Sequence, residues 1–350
     1  MRLLVLGGTE FVGRAVVEAA LGRGWDVTVL NRGRHAPVPG TRTLIGDRTA
    51  PEGIDLPSGA EWDAVVDTWS SAPRAVHEAA RLLRGRARRY VYVSSCSVYA
   101  WAPPAGYTED APLVEGAAPD ADATDYARDK RGGELAAVDA FGAEHSVLVR
   151  AGLILGPYEN VGRLPWWLNR IARGGPVLAP GPRDLPLQYI DARDLAEWIL
   201  GAVEREVSGP FNLISPQGHA TMGELLEACV RATGADSAAG AELRWTEPKI
   251  VLDAGIEPWT QLPAWVPPGS DLHDALHSAD VSRAVAAGLS CRPVEETVAD
   301  TWRWLESLGG VAPQRPDRTV KGLDPEVEAR VLAAAHGVGG GSGGVSGTTP

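Results

Sequence analysis

The chain has 350 residues, 33 Lys+Arg against 45 Asp+Glu and a formal net charge of −12. That length is enough for a large core, most simply a nucleotide-binding domain and a smaller second lobe. The acidic balance argues against a general binder of nucleic acid or of anionic membranes. Cys96, Cys229 and Cys291 are odd in number and lack CxxC spacing. They suggest neither a disulfide framework nor a metal site, and they fit a reduced cytoplasmic interior. The first strand begins at once, so no signal peptide is expected, and no apolar run reaches membrane-spanning length.

In chain order, Arg2 to Leu6 is a short apolar run, followed by Gly7-Gly8-Thr9-Glu10-Phe11-Val12-Gly13 and an Ala/Val-rich helical stretch from Arg14 to Gly22. Strand, glycine turn and helix start in that order build a cradle for a pyrophosphate. Glycines let the backbone approach the phosphates, and the free N–H groups of the helix face the anion. Gly7, Gly8, Thr9, Glu10, Phe11 and Gly13 are therefore candidate cofactor contacts. Glu10 stands where a middle glycine is common, and its carboxylate is expected to point away from the phosphates. Further strands are expected at Val27 to Leu30, Thr43 to Ile45, Ala64 to Val66, Tyr90 to Val93 and Ser146 to Val149, with helices at Pro73 to Leu83 and Asp125 to Ala140. This alternation predicts an α/β fold, a doubly wound parallel sheet of Rossmann type over 1–150.

A smaller C-terminal α/β substrate lobe is expected over 151–310, mixed, with strands and helices returning to the core. It has helices at Arg163 to Arg173, Asp191 to Val203 and Val294 to Leu308, and a strand at Phe211 to Ile214. Thr221 to Glu224 reads as a capping box opening a helix to Ala232. Pro248 to Pro268, rich in proline and tryptophan, reads as an irregular wall or lid. Over 311–350, Asp324 to His336 reads as a loosely docked helix and Gly337 to Pro350 as a disordered Gly/Ser/Thr tail.

Two groups of residues carry the chemistry. The second strand ends in Asn31-Arg32-Gly33-Arg34, where an NAD enzyme usually has an acidic residue for the ribose 2′-hydroxyl. Asn31 cannot repel a 2′-phosphate, and Arg32 and Arg34 can reach one, so NADP is the expected cofactor, with NAD possible. Two solvated surface arginines are the plainer reading. Asp47 is a candidate partner for the adenine amino group, or simply a turn residue. The second group is Ser94-Ser95-Cys96-Ser97-Val98-Tyr99 after the fifth strand, with Tyr126 and Lys130 later. Four residues apart on a helix, Tyr126 and Lys130 share one face. A lysine ammonium beside a phenol favours the phenolate and suits it to general acid/base work.

Together GGTEFVG (7–13), NRG (31–33), GDR (46–48), YVSSCSVYA (92–100), YARDK (126–130), RAGLILGP (150–157) and YIDARDLA (189–196) resemble the short-chain dehydrogenase/reductase superfamily, in its extended and atypical branches. The resemblance spans about 1–306. It implies Ser95 as the hydroxyl that orients the substrate, Tyr126 as general acid/base, and Lys130 as ligand of the nicotinamide ribose. Arg48, Thr68, Ser94 and Ala151 complete the expected cofactor contacts. Trp69 and Trp101, at carboxyl ends of strands, are expected as pocket walls, with Trp166 and Gln188 also toward the substrate. Arg193 lies near the same lobe or serves as an ion-pair partner. Ala100 replaces the usual glycine after Tyr99, and Arg150 to Leu153 stands where nucleotide-sugar epimerases carry an RYFN-like stretch, which weakens a sugar-nucleotide reading. The expected activity is an NADP(H)-dependent oxidoreductase moving hydride to or from a carbonyl or hydroxyl carbon of a small metabolite. The alternatives are an epimerase or dehydratase that returns the hydride to the same substrate, and a cofactor-binding regulator without turnover. The chain is expected to act as a monomer or homodimer.

Overall fold

A computed structural model describes residues 1–337 apart from 51–52, 123 and 236–239. In chain order the first half holds β1 (Arg2–Leu6), α1 (Phe11–Gly22), β2 (Asp26–Asn31), β3 (Arg42–Ile45), β4 (Trp62–Asp67), α2 (Arg74–Leu83), β5 (Ala87–Ser95), α3 (Tyr126–Phe141) and β6 (Ser146–Ala151). After β6 come β7 (Ile154–Leu155), α4 (Arg163–Ala172), β8 (Gly175–Pro180), β9 (Pro186–Leu187), β10 (Ile190–Asp191), α5 (Ala192–Glu204), β11 (Gly209–Leu213) and β12 (Ala220–Thr221). The rest is α6 (Met222–Ala232), β13 (Ala241–Thr246), α7 (Pro248–Asp253), α8 (Asp271–His277), α9 (Ser282–Ala286), α10 (Val294–Ser307) and α11 (Pro325–Gly337).

Seven parallel strands form one sheet in the order β11-β6-β5-β4-β1-β2-β3. The expected doubly wound sheet is therefore present, and its order reverses between β1 and β4, where such sheets bind ligands at the carboxyl ends. Side chains alternate across the strands, so β1 feeds two cores. Leu3 and Val5 join Val16, Ala20, Leu195 and Ile199 under α1 and α5. Leu4 and Leu6 join Val76, Ala80 and Ala137 under α2 and α3. A strand buried on both faces has to be apolar throughout, which is why the central runs of β1, β4 and β5 lack polar alternation.

The lobe has its own core, in which α4, α6 and α10 pack around the parallel pair β8–β13. The capping box at the start of α6 is present: Thr221 Oγ1 accepts from the Glu224 amide (3.1 Å), and Glu224 Oε2 accepts from the Thr221 amide (2.8 Å). Two lobe expectations change. Pro248 to Pro268 is less irregular than its proline content suggested, since it begins with α7 and buries Trp265, whose indole donates to the Gly181 carbonyl (3.0 Å). The helix read as loosely docked is firmly tied. Glu328 of α11 is buried, accepting from Arg170 Nε (2.6 Å) and from the Leu178 amide (3.0 Å). Residues 338–350, which include most of the tail expected to be disordered, lie outside the described residues. Among the described residues no helix is long and apolar enough to cross a membrane.

Candidate active site

The glycine turn joins β1 to α1 with almost no spare volume. A Cβ on Gly13 would lie 2.0 Å from the Gly7 carbonyl oxygen, and one on Gly7 would lie 2.6 Å from Thr68 Oγ1 while its φ is +95°. Only glycine lets helix and strand approach this closely. Thr68 Oγ1 donates to the Leu6 carbonyl (3.0 Å), which sets its side chain against the turn. Glu10 occupies the N-cap position of α1 without a side-chain cap, and the first turn carries no acidic residue. The Glu10 carboxylate instead accepts from Asn160 Nδ2 (3.2 Å) and lies 3.6 Å from His35 Nε2. The helix N-terminus therefore keeps the uncapped N–H groups that a dinucleotide pyrophosphate requires. On this test the turn fits the group.

At the end of β2, Asn31 Oδ1 accepts from the Gly33 amide (2.7 Å). Arg32 and Arg34 are exposed, and among the described residues neither has a carboxylate within ion-pair distance. Asp47 Oδ1 closes a turn by accepting from the Thr49 amide (2.9 Å) and hydroxyl (2.6 Å). These two bonds, with Arg32 and Arg34 contributing more weakly, hold its carboxyl below the usual range.

The second group gathers at the carboxyl end of β5. Ser95 ends the strand, its Oγ accepting from the Ser97 amide (3.1 Å), and in the sheet it stands opposite Ala151 at the end of β6. Tyr126 opens α3 and is 37% exposed, so its phenol is accessible. Asp125 caps the helix by accepting from the Arg128 amide (3.0 Å). Lys130, one turn in, is buried, and its Nζ donates to the carbonyls of Trp69 (2.6 Å) and Val93 (2.6 Å). The lysine thus ties α3 to the ends of both β4 and β5. Burial pushes its pKa down to about 7, with Asp67 opposing and Arg315 and Arg318 adding to the shift.

A pH prediction follows from that shift. An unfolded lysine titrates near 10.4. Between pH 7 and about 10 the unfolded chain therefore holds a proton that the native cofactor-free chain has lost, and stability rises with pH. Wild type should gain at least about 1 kcal/mol on Lys130→Met between pH 7 and 10 in urea unfolding of cofactor-free protein. A gap that stays flat or closes would refute the shift.

Several expected contacts are turned inward, in each case because a buried polar group takes the nearest partner. Ser94 was expected at the cofactor, but its hydroxyl donates to buried Glu134 (2.8 Å). Arg48 grips Asp67 through both oxygens (2.7 and 2.6 Å) and donates to the Ala75 carbonyl (2.9 Å), all below the surface. Gln188 is fully buried between the Ser215 and Ala279 backbones, donating at 2.8 and 2.9 Å and accepting from the Ala279 amide at 2.8 Å. Arg193 is an ion-pair partner of Asp191 and Asp300. The tryptophans divide. Trp69 is half-buried, its indole donating to the Ala72 carbonyl (2.8 Å) while its own carbonyl receives Lys130. Trp101 is 67% exposed. Trp166 packs edge-on to Trp167 and lies under Gly322, where a Cβ would meet its Nε1 at 2.0 Å.

Sequence reasoning missed two features. The first is a buried network. Glu134 accepts from Arg150 through both oxygens (2.9 and 3.1 Å), and Arg150 Nη1 donates to Tyr99 Oη (3.1 Å) and the Glu109 carbonyl (3.0 Å). Glu134 is four residues from Lys130 on α3, and that spacing is the one local signal. The second is a strap, residues 311–323, that runs from the end of α10 to α11 past the Tyr126 end of α3. Arg315 Nη2 donates to Ser70 Oγ (3.1 Å), and the Arg318 guanidinium lies 4.8 Å from the Tyr126 ring centroid.

With this geometry in place, residues 3–214 match the model of the NAD dependent epimerase/dehydratase family. A cattle (Bos taurus) protein described as epimerase family protein SDR39U1 is 26% identical over 260 residues, which cover 67% of this chain and 81% of that protein. The Bordetella bronchiseptica enzyme WbmH, solved in complex with NAD+, aligns with a TM-score of 0.62 and 18% identity, over 88% of this chain and 99% of its own. UDP-glucuronic acid 4-epimerase from Bacillus cereus, in complex with NAD, aligns with a TM-score of 0.59 and 14% identity, over 88% and 99%. At these identities the two structures establish likeness of fold.

Proposed function

The chain belongs to the NAD dependent epimerase/dehydratase family, and from that premise we propose an enzyme that uses a nicotinamide dinucleotide on a hydroxyl-bearing carbon of a small organic molecule. The same molecule regains its oxidation level before release, as in epimerases and dehydratases. The observation that carries this reading is the Tyr126/Lys130 pair on α3, with Lys130 held by the Trp69 and Val93 carbonyls at the carboxyl ends of β4 and β5. The family assignment moves the weight from the net NADP(H) oxidoreductase expected from the residues to the hydride-returning alternative. The accessible Tyr126 phenol and the Ser95 hydroxyl support turnover over a purely regulatory role.

The Gly7–Gly13 turn and the N-terminus of α1 would hold the pyrophosphate, with Thr68 beside it. When bound, the dinucleotide supplies a centre that accepts a hydride and gives it back. In this scheme Ser95 Oγ holds the substrate oxygen by a hydrogen bond. Tyr126 Oη takes the proton of the substrate hydroxyl and returns it later, with Lys130 one turn on fixing the start of α3 against the ends of β4 and β5. The test supplies catalytic NAD+ and a panel of hydroxyl-bearing metabolites, with UDP-glucose and UDP-glucuronic acid included because neighbours in fold are named for UDP-sugars. Product should form without a net rise in absorbance at 340 nm. NADH appearing in step with product would overturn the hydride-returning reading in favour of a dehydrogenase.

One observation favours NADP(H) as the dinucleotide, although the neighbours named above were solved with NAD: Arg32 and Arg34 are exposed at the end of β2, and Asn31 puts no negative charge there. A guanidinium bonds a phosphate bidentately, and a charge-assisted contact contributes about 1.5–3 kcal/mol. Arg32→Ala should therefore weaken NADPH roughly ten- to a hundredfold and leave NADH nearly unchanged in calorimetric titrations. Equal loss of both, or wild type that prefers NADH, would refute 2′-phosphate recognition.

A further inference from the structure

The strap brings a concentration of positive charge to the mouth of the candidate site. Its backbone is fixed by the Arg315 amide donating to the Asn160 carbonyl (3.0 Å) and the Gly322 amide donating to the Thr260 carbonyl (3.0 Å). From it, Arg318 lies against the Tyr126 ring and Arg315 reaches Ser70, just beyond β4. Arg163, at the start of α4, puts its guanidinium 5.3 Å from the Trp259 ring centroid, and its buried Nε has no hydrogen-bond partner. Burial lowers the Arg163 pKa against the pull of Glu159 and Tyr126, and Arg318 repels it. Lys321 is lowered by burial and by Arg163. Of the adjacent carboxylates, Glu257 offsets Lys321, and Glu159 adds little. Glu159 is fully buried, its oxygens accepting from the Arg163 and Leu164 amides (2.7 and 3.1 Å), and burial pushes it up to about 7. That leaves Asp317 as the strap's own counterion, bound by Arg315 through both oxygens (3.0 and 2.7 Å) and 3.8 Å from Arg318 Nε.

We infer that Arg315 and Arg318 form a clamp for an oxyanion on the substrate, a carboxylate or a phosphoryl group, and that Asp317 is the internal anion that it displaces. The clamp rests on the reading of Tyr126 as the reacting group, because it places the substrate's charged end beside that phenol. Fork-shaped guanidinium donors match both kinds of oxyanion. A carboxylate tethered one residue from Arg318 and two from Arg315 competes at high effective concentration. Binding a free anion therefore means exchanging one carboxylate for another ligand. Removing the competitor should strengthen binding, and removing the donors should weaken it. A strap that merely braces the fold predicts neither.

The test uses full-length protein saturated with NAD+, so that the glycine turn is already filled, in low salt where exposed charges are least screened. Inorganic pyrophosphate and malonate are titrated separately by calorimetry into wild type, Arg315→Ala/Arg318→Ala and Asp317→Asn. At least one anion should bind wild type, at least about tenfold more weakly to the double arginine variant and several-fold more tightly to Asp317→Asn. Malonate alone would assign a carboxylate, pyrophosphate alone a phosphoryl group, and both a general oxyanion site. Wild type that binds neither anion, an arginine variant that binds like wild type, or Asp317→Asn that binds no tighter would overturn the clamp. NADH and NADPH fluorescence titrations of the same proteins before NAD+ is added separate the two readings. Protein that binds neither fails both, whereas protein that binds either one but shows unchanged anion affinity fails the clamp alone.

Discussion

Tyr126→Phe is expected to lower turnover by about 10²–10⁴-fold, the usual contribution of a positioned general acid/base group. The phenylalanine keeps the ring that Arg318 covers and the start of α3, so only the hydroxyl is lost. Lys130 remains bonded to the Trp69 and Val93 carbonyls, which do not involve the phenol. Affinity for the dinucleotide should therefore stay within a few-fold of wild type by NADH fluorescence. The rate is measured on the substrate that the catalytic-NAD+ panel yields. A variant that retains more than about a tenth of the wild-type rate would remove Tyr126 from the chemistry. A variant that loses cofactor and rate together would make its role structural.

The second large effect is on stability. Glu134→Ala should cost about 3–5 kcal/mol, because it leaves Arg150 as a buried charge without its carboxylate. Arg150 is 2% exposed and Glu134 0%, so water cannot replace the lost partner. The substitution also frees the Ser94 hydroxyl and releases Arg131 from its ion pair with Glu134. Both β5 and β6 end at this network, so the end of the strand that carries Ser95 should loosen as well. Urea unfolding measures the cost, and a loss below about 1 kcal/mol would show that the cation finds another partner. The double variant Glu134→Ala/Arg150→Met, which removes both charges, should recover much of the loss.

The features legible in the sequence are those with a local cause. Gly7 and Gly13 announce a close approach of helix and strand because no other residue fits there, and the turn is as tight as that requires. The doubly wound parallel sheet was readable because strands buried on both faces must be apolar throughout, although its edge strand β11 reads in sequence as part of the second half. The Thr221/Glu224 box is a three-residue signal, and it forms. What was not legible depends on distant partners. Nothing near Arg48 marks it as a structural cation, since its partner Asp67 lies 19 residues on, at the end of β4. Gln188 looked available for a ligand because its three bonds come from Ser215 and Ala279, far along the chain. Arg315 lies 245 residues from Ser70, beyond the reach of any periodicity. The β8–β13 pair was missed for the same reason, since neither strand completes a hydrogen-bond ladder without the other.

The docking of α11 has a kinetic meaning. At one end of the strap, Asn169 Nδ2 holds the Gly310 carbonyl (2.8 Å), and at the other the Arg170–Glu328 pair holds α11 against β8. A segment pinned at both ends opens by bowing outward, without the swing of a free arm. Such bowing belongs to the nanosecond-to-microsecond range of loop motion, ahead of the microsecond-to-millisecond range of domain hinges. Both pins lie on the lobe, whereas Ser70 and Tyr126 lie on the sheet side. Exchange of small molecules at the mouth therefore couples the release of a few strap hydrogen bonds to any movement of the lobe against the sheet.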